Sequence, residues 1–205
     1  MVVPDEATIT AWALAAKAGD QAAAASFIRA TQQPVYRFLA HLVHPREAED
    51  LTQETYLRAM RSLPRFAGRS SARTWLYSIA RRVAADHLRA ATSRPRTTAV
   101  PDLTAAIDGG QLTPRASGAG DRFEERVALR ELLDRLTPDR RIAFVATQVL
   151  GLSYEEAAQV CDCPVGTIRS RVARARQELV AALRTAHAAG APQGPGKPAA
   201  DDLVG

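Results

Sequence analysis

The sequence is poor in cysteine and lysine and has no long apolar run, and the first and last of these shortages each exclude a class of protein. Its 205 residues include two cysteines, Cys161 and Cys163, too few for a disulfide framework and too close together for an ordinary bridge. The same spacing is wrong for zinc, so both are expected to pack as small hydrophobes. No stretch approaches the ~18 consecutive apolar residues that span a bilayer. Met1 to Asp5 carries no basic run leading into an apolar segment, so no signal peptide is read, and a soluble, cytoplasmic chain without a membrane role is expected. The only Gly-Lys pair, Gly196-Lys197, lacks the upstream glycine of a phosphate-binding loop and is followed by Pro198. The histidines form no catalytic pairing, and no carboxylates cluster in the basic half. No cofactor, metal or catalytic residue is expected, and the chain does not read as an enzyme.

What is present is arginine. The net charge is +5, and Lys17 and Lys197 are the only lysines. From Arg61 to Arg96 there are nine arginines against one acid, Asp86. Arginine offers a planar fork that pairs with phosphate and guanine, although the same richness also fits codon bias in a high-GC genome. Glu47 to Glu54 holds three Glu, one Asp and no base. One basic and one acidic surface in the same half imply two different partners.

The periodicity is helical throughout, without a sustained alternating run, so the fold class is all-α. The breaks predict a first helix pair bounded by Gly19-Asp20 and Pro34, a helix from near Arg46 to Leu63-Pro64, and a long amphipathic helix from Ala72 to about Ala91. Composition shifts to Pro, Thr, Gly and Ser from Ser93 to Gly120, and a run of that length does not belong inside a compact domain. The expected organisation is two small helical domains, residues 8–92 and 121–189, joined by a flexible linker, 93–120, with a disordered tail, 190–205.

The most informative segment is SYEEAAQVCDCPVGTIRSRVARAR, Ser153 to Arg176. Ser153 with Glu156 three residues on makes a capping box that starts a short helix. A break at Cys161-Asp162-Cys163 follows, and Pro164 suits the start of the next helix, where a missing amide costs little. Two helices at this separation form a helix-turn-helix. Ile168, Val172, Ala175, Leu179 and Leu183 line the core face of the second helix. Ser170 and Arg174 lie opposite that face, and Thr167, Arg169 and Arg171 flank it. In such motifs these positions meet base edges or phosphates in the major groove. An amphipathic helix also needs a solvated face, but five Arg against one Glu between Pro164 and Arg184 exceeds that need.

With this wording the segment resembles region 4 of the extracytoplasmic-function (ECF) sigma factors, most like the actinobacterial sigma factor C type. The resemblance implies that Thr167, Arg169, Ser170, Arg171 and Arg174 read the minus-thirty-five promoter element as duplex. It runs from Thr8 to Ala91 and from Phe123 to Leu183. It also implies core RNA polymerase as partner, through its clamp helices and flap, and promoter DNA as ligand. An anti-sigma factor is a further partner common in the family.

In the first domain EAEDLTQETYLRAM, Glu47 to Met60, resembles the part of region 2 that docks on a helical hairpin of the polymerase clamp. Asp50, Gln53, Glu54 and Leu57 share a helix face, an acidic surface with an apolar anchor suited to a basic partner. The next segment, RFAGRSSARTWLYSIARR, resembles the part of region 2 that captures the opened non-template strand at the minus-ten element. Arg65, Phe66, Gly68, Arg69, Ser70, Ser71, Arg73, Trp75, Arg81 and Arg82 are the candidates there. Basic residues hold a backbone while turn and aromatic groups receive unstacked bases, and Arg89 is a further phosphate contact. Trp75 and Tyr77 equally suit a core. A stand-alone helix-turn-helix regulator is the competing reading, and it requires neither the acidic face nor the aromatic-basic turn. The linker, with Asp102 and Asp108, is a candidate for folding back over the basic faces.

Overall fold

In a computed structural model, residues 4–93 and 128–190 are described, and they are helical with short connections. The linker and tail expectations, including Asp102 and Asp108, lie outside the described residues.

Helix α1, Glu6–Lys17, starts where Asp5 accepts the Thr8 amide at 2.7 Å, a bond that lowers the Asp5 carboxyl pKa. It ends at Gly19, whose φ of 101° is available at low cost only without a side chain. Helix α2, Gln21–Ala40, is capped by Asp20. Pro34 lies inside it, contrary to the boundary expected there. Thr31, Val35, Phe38 and Leu39 lie on either side of the proline and are all buried. Packing of that stripe therefore outweighs the roughly 3 kcal/mol that a helix-interior proline costs.

Helix α3, Pro45–Ser62, begins with proline at its first position. His44 Nδ1 accepts the Arg46 amide, and Glu47 accepts the amide of His44. A single 3₁₀ turn, Leu63–Arg65, leads through residues 66–71 into helix α4, Ala72–Ser93. Phe27, Phe38, Leu39, Leu76, Tyr77 and Val83 are almost fully buried between these helices. The Phe38 and Tyr77 rings meet edge to face at 5.4 Å. Tyr77 is thus a core residue, and burial raises its phenol pKa.

The second unit contains helix α5, described over residues 128–134, and helix α6, Pro138–Phe144, again with proline at its start. A π-helical turn, Val145–Val149, ends in a loop with Gly151 at φ 70°. Helix α7, Tyr154–Cys161, opens on the capping box: the Glu156 amide donates to Ser153 Oγ at 3.1 Å, and Glu156 Oε2 accepts the Ser153 amide at 2.8 Å. Asp162, left-handed at φ 53°, turns the chain, and Cys163 donates back to the Ala158 carbonyl. Helix α8, Val165–Gly190, follows. Val160, Ile168, Val172 and Ala175 are buried where α7, α6 and α8 meet.

The two units touch. Arg81 Nε on α4 donates to the Val160 carbonyl at the end of α7 at 2.7 Å. Arg130 on α5 donates to the Ala40 and Val43 carbonyls, at 3.1 and 2.7 Å, where α2 ends. Arg130 and Arg141 both pair with Asp134. Helix C-terminal carbonyls lack intrahelical donors and attract cations, so the arginines complete the ends of helices in the opposite unit.

Candidate polymerase and nucleic-acid interfaces

The α3 surface presents Asp50 and Gln53 to solvent, with Glu54 half-buried beside them. Leu57 is 54% exposed. It borders a shallow groove between α2 and α3 lined by Ile28, Gln32, Gln53 and Met60. Beneath the groove the Tyr56 hydroxyl pairs with Thr31 Oγ1 at 2.7 Å, and burial pushes the Tyr56 phenol pKa up.

Arg58 was not singled out by sequence, yet it organises this surface. Its Nε meets Glu54 and its Nη1 meets Asp86 of α4, each at 2.7 Å. Arg89 holds the second Asp86 oxygen at 2.6 Å. The bond from Arg58 is the main reason the Asp86 carboxyl is held below its ordinary pKa. The Arg58–Glu54 spacing of four was a legible signal, whereas Asp86 lies 28 residues away.

In the turn after α3, the candidates divide between outward and inward. Arg65, Gly68 and Arg69 are exposed and Ser70 is half-buried; Gly68 has φ 66°. Phe66 does not face outward as expected for a base acceptor. It is 4% exposed, with its ring 4.9 Å from that of the part-buried Trp75. The reason is elementary: fully burying such a ring is favourable by about 1.5–3 kcal/mol, and the start of α4 offers it an apolar seat.

Ser71 is used in a local cap, accepting the Thr74 amide at 3.1 Å. Arg73 is half-buried and pairs with Glu6 of α1 at 3.2 Å. Arg81 is engaged with Val160, while Arg82 on the same helix is exposed. Two partners of the turn went unnoticed in the sequence. Lys17 Nζ donates to the Phe66 carbonyl at 2.8 Å, and Thr10 Oγ1 accepts the Ala72 amide at 3.1 Å. Their separations of 49 and 62 residues leave no local pattern to find.

On the helix-turn-helix, Arg169, Ser170 and Arg174 are exposed on the first three turns of α8, and Thr167 is half-buried. Ser170 Oγ donates to the Thr167 carbonyl. Arg171 differs from its neighbours: it is half-buried, pairs with Asp139 of α6 and lies 3.7 Å from the Cys163 sulfur. It braces the turn instead of projecting from it. Cys161 is buried, which pushes its thiol up to about 11, as suits a small hydrophobe in the core. Among the described residues no group of side chains could hold a metal ion, and no helix is long and apolar enough to cross a membrane.

Two family models match the chain: Sigma-70 region 2 over residues 27–94 and Sigma-70, region 4 over residues 126–179. The first match begins after α1. The ECF RNA polymerase sigma factor SigC of Mycobacterium tuberculosis is 53% identical over 177 residues, covering 86% of this chain and 92% of that protein. The RNA polymerase sigma-H factor of Pseudomonas aeruginosa is 35% identical, covering 81% and 89%. Among solved structures, the sigma factor RpoE in complex with the anti-sigma factor NepR from Bartonella quintana superposes with TM-score 0.61 at 28% identity, over 77% of this chain and 94% of that one. CnrH in complex with the cytosolic domain of CnrY gives TM-score 0.67 at 22% identity, over 87% and 98%, a likeness of fold.

Proposed function

The chain belongs to the sigma-70 family, among its ECF sigma factors, and from that premise we propose how its surfaces divide the work. As a sigma factor it binds core RNA polymerase and directs promoter-specific transcription initiation, by binding and not by a catalytic step of its own. Asp50, Gln53, Glu54 and Leu57 form the docking face for the polymerase clamp. Arg169, Ser170 and Arg174, with Thr167 at the edge, read the minus-thirty-five element as duplex. Arg65, Gly68, Arg69 and Ser70 receive the opened non-template strand at the minus-ten element, with Arg82 on its phosphates. The two domains are read as residues 8–92 and 121–189, with α1 beginning at Glu6 and α8 running to Gly190. The site of action is the cytoplasm, where its polymerase is, and an anti-sigma factor is a regulator of the kind that accompanies RpoE.

The observation that carries this reading is the conjunction, in one chain, of an arginine-faced helix-turn-helix and the exposed Leu57 on an acidic helix. A stand-alone regulator has no use for the latter. Strand opening needs no nucleotide hydrolysis if capture offsets unstacking, a few kcal/mol per flipped base. Mixing the full chain with bacterial core polymerase tests the reading. Co-elution and new, promoter-specific transcripts from genomic fragments are expected. Duplex binding without co-elution would return the chain to the class of stand-alone regulators.

Within the helix-turn-helix, Arg174→Ala is expected to cost about 1–3 kcal/mol of promoter affinity, concentrated on one base-pair position. Arg171→Ala should instead lower the thermal midpoint through the lost Asp139 pair. A competition assay over single-base variants of the recovered promoter separates the two. A uniform loss from Arg174→Ala across all variants would assign it to phosphate.

A further inference from the structure

The turn that we read as capturing the opened strand has little structure of its own. Among the described residues its backbone bonds are Phe66 to Leu63 before it and Trp75 to Ser71 after it, and residues 67–70 contribute none. Yet both of its ends are held from one direction, by α1, and its middle passes close to the same helix. Lys17 binds the Phe66 carbonyl at 2.8 Å. Thr10 caps α4 through the Ala72 amide. The Leu14 side chain lies under Gly68, where an added methyl would sit 3.7 Å from it. Glu6, one turn before Thr10 on α1, pairs with Arg73, the next residue of α4. Four side chains on the face of α1 that repeats at intervals of about one turn therefore meet four successive points of the 66–73 segment.

We propose that α1 is the positioning element for strand capture, and that Lys17, by anchoring the Phe66 carbonyl, holds the 66–71 turn in the conformation that receives bases. This rests on the reading of that turn as the capture site. The physical argument is preorganisation: a turn without internal hydrogen bonds samples many conformations, and affinity falls in proportion to the fraction of time spent in the competent one. Lysine suits this task. It reaches a single carbonyl with a compact ammonium on a long stem, whereas the chain's arginines present planar forks. Lys17 is also solvent-exposed on its own helix, so its removal leaves no cavity.

The test uses holoenzyme assembled from the full chain and core polymerase. The probe is a short labelled single-stranded DNA copied from the non-template strand upstream of a mapped start site. If Lys17→Met lowers the competent fraction of the turn to about a tenth, the Kd for the probe rises about tenfold. Core affinity stays at the wild-type value, and Lys17→Arg restores most of the loss because it keeps a donor. Salt titration separates positioning from direct contact. A lysine on phosphate contributes to the slope of log K against log salt, and its loss reduces that slope by about one; a positioning lysine leaves the slope unchanged. Thr10→Val, which removes the α4 cap while keeping the shape of the side chain, weakens probe binding in the same way and covers the case in which Lys17→Met proves poorly folded. Wild-type probe affinity in both variants, or a loss with a reduced slope, overturns the proposal. Arg69→Ala with Ser70→Ala serves as the separate check. If that pair leaves probe binding intact, the reading of the turn itself fails, whereas loss there with wild-type affinity in both Lys17→Met and Thr10→Val removes only the role of α1.

Discussion

Replacing Leu57 with Asp is expected to raise the Kd for core polymerase by about 30- to 100-fold, or ~2–3 kcal/mol, while the thermal midpoint moves by no more than about 2 °C. Both halves follow from where the side chain lies. Leu57 is 54% exposed at the rim of the groove between α2 and α3, so folding gains little from it. In a docked complex it would lose the rest of its exposure to water, and a carboxylate in its place would be buried without a partner. The substitution adds negative charge to a face already acidic, so a basic partner is not repelled, and the loss isolates the apolar anchor. Glu54→Lys is a less direct probe, because Glu54 also holds Arg58 and, through it, Asp86. Its charge reversal would loosen the α3–α4 contact together with the docking face. Fluorescence anisotropy with labelled core gives the Kd for each. A Leu57→Asp protein that binds core normally would mean the clamp docks elsewhere.

The contrast between Leu57 and Arg58 shows what a sequence exposes and what it hides. Periodicity reports which residues share a face, and so the acidic surface, the capping box at Ser153 and the first part of the α8 core stripe were legible, each depending on positions within about one turn of one another. The stripe holds for Ile168, Val172 and Ala175, but Leu179 is half-buried and Leu183 is 53% exposed, because α8 runs on past the helices that cover its start. Pro34 misled because local propensity is a weak prior against a buried stripe that continues on both sides of it. Arg81 read as a phosphate contact because it sits in a basic run, yet it donates to a carbonyl 79 residues away. Arg171 shares its periodicity with readers of DNA and is instead tied to Asp139 across 32 residues. For both arginines the local chemistry, a donor seeking an acceptor, was legible, and tertiary contact supplies an acceptor within the protein. A phosphate contact from Arg81 would require it to give up its bond to the end of α7.

The same logic decides the fate of the aromatic in the capture turn. Phe66→Leu is expected to retain strand capture within about threefold, and Phe66→Ala to lose about 3 kcal/mol of folding stability together with capture. A base-stacking role predicts otherwise: leucine has no π face, so stacking, worth about 1–3 kcal/mol per base, would be lost in both variants alike. The structure favours the first outcome because the ring is 4% exposed and already occupied by Trp75 at 4.9 Å. Leucine can fill most of that seat. Alanine leaves a cavity between the turn and α4, and the Phe66 carbonyl that Lys17 holds is free to swing with its emptied side chain. Phe66 is then a pedestal, and on the proposed reading recognition falls to the exposed Gly68 and Arg69 with the half-buried Ser70. Thermal melts of the free protein, read beside probe binding by the holoenzyme, distinguish the two. Equal loss of capture in Phe66→Leu and Phe66→Ala, with an unchanged melting point for Phe66→Leu, would turn the ring outward and restore it to the DNA.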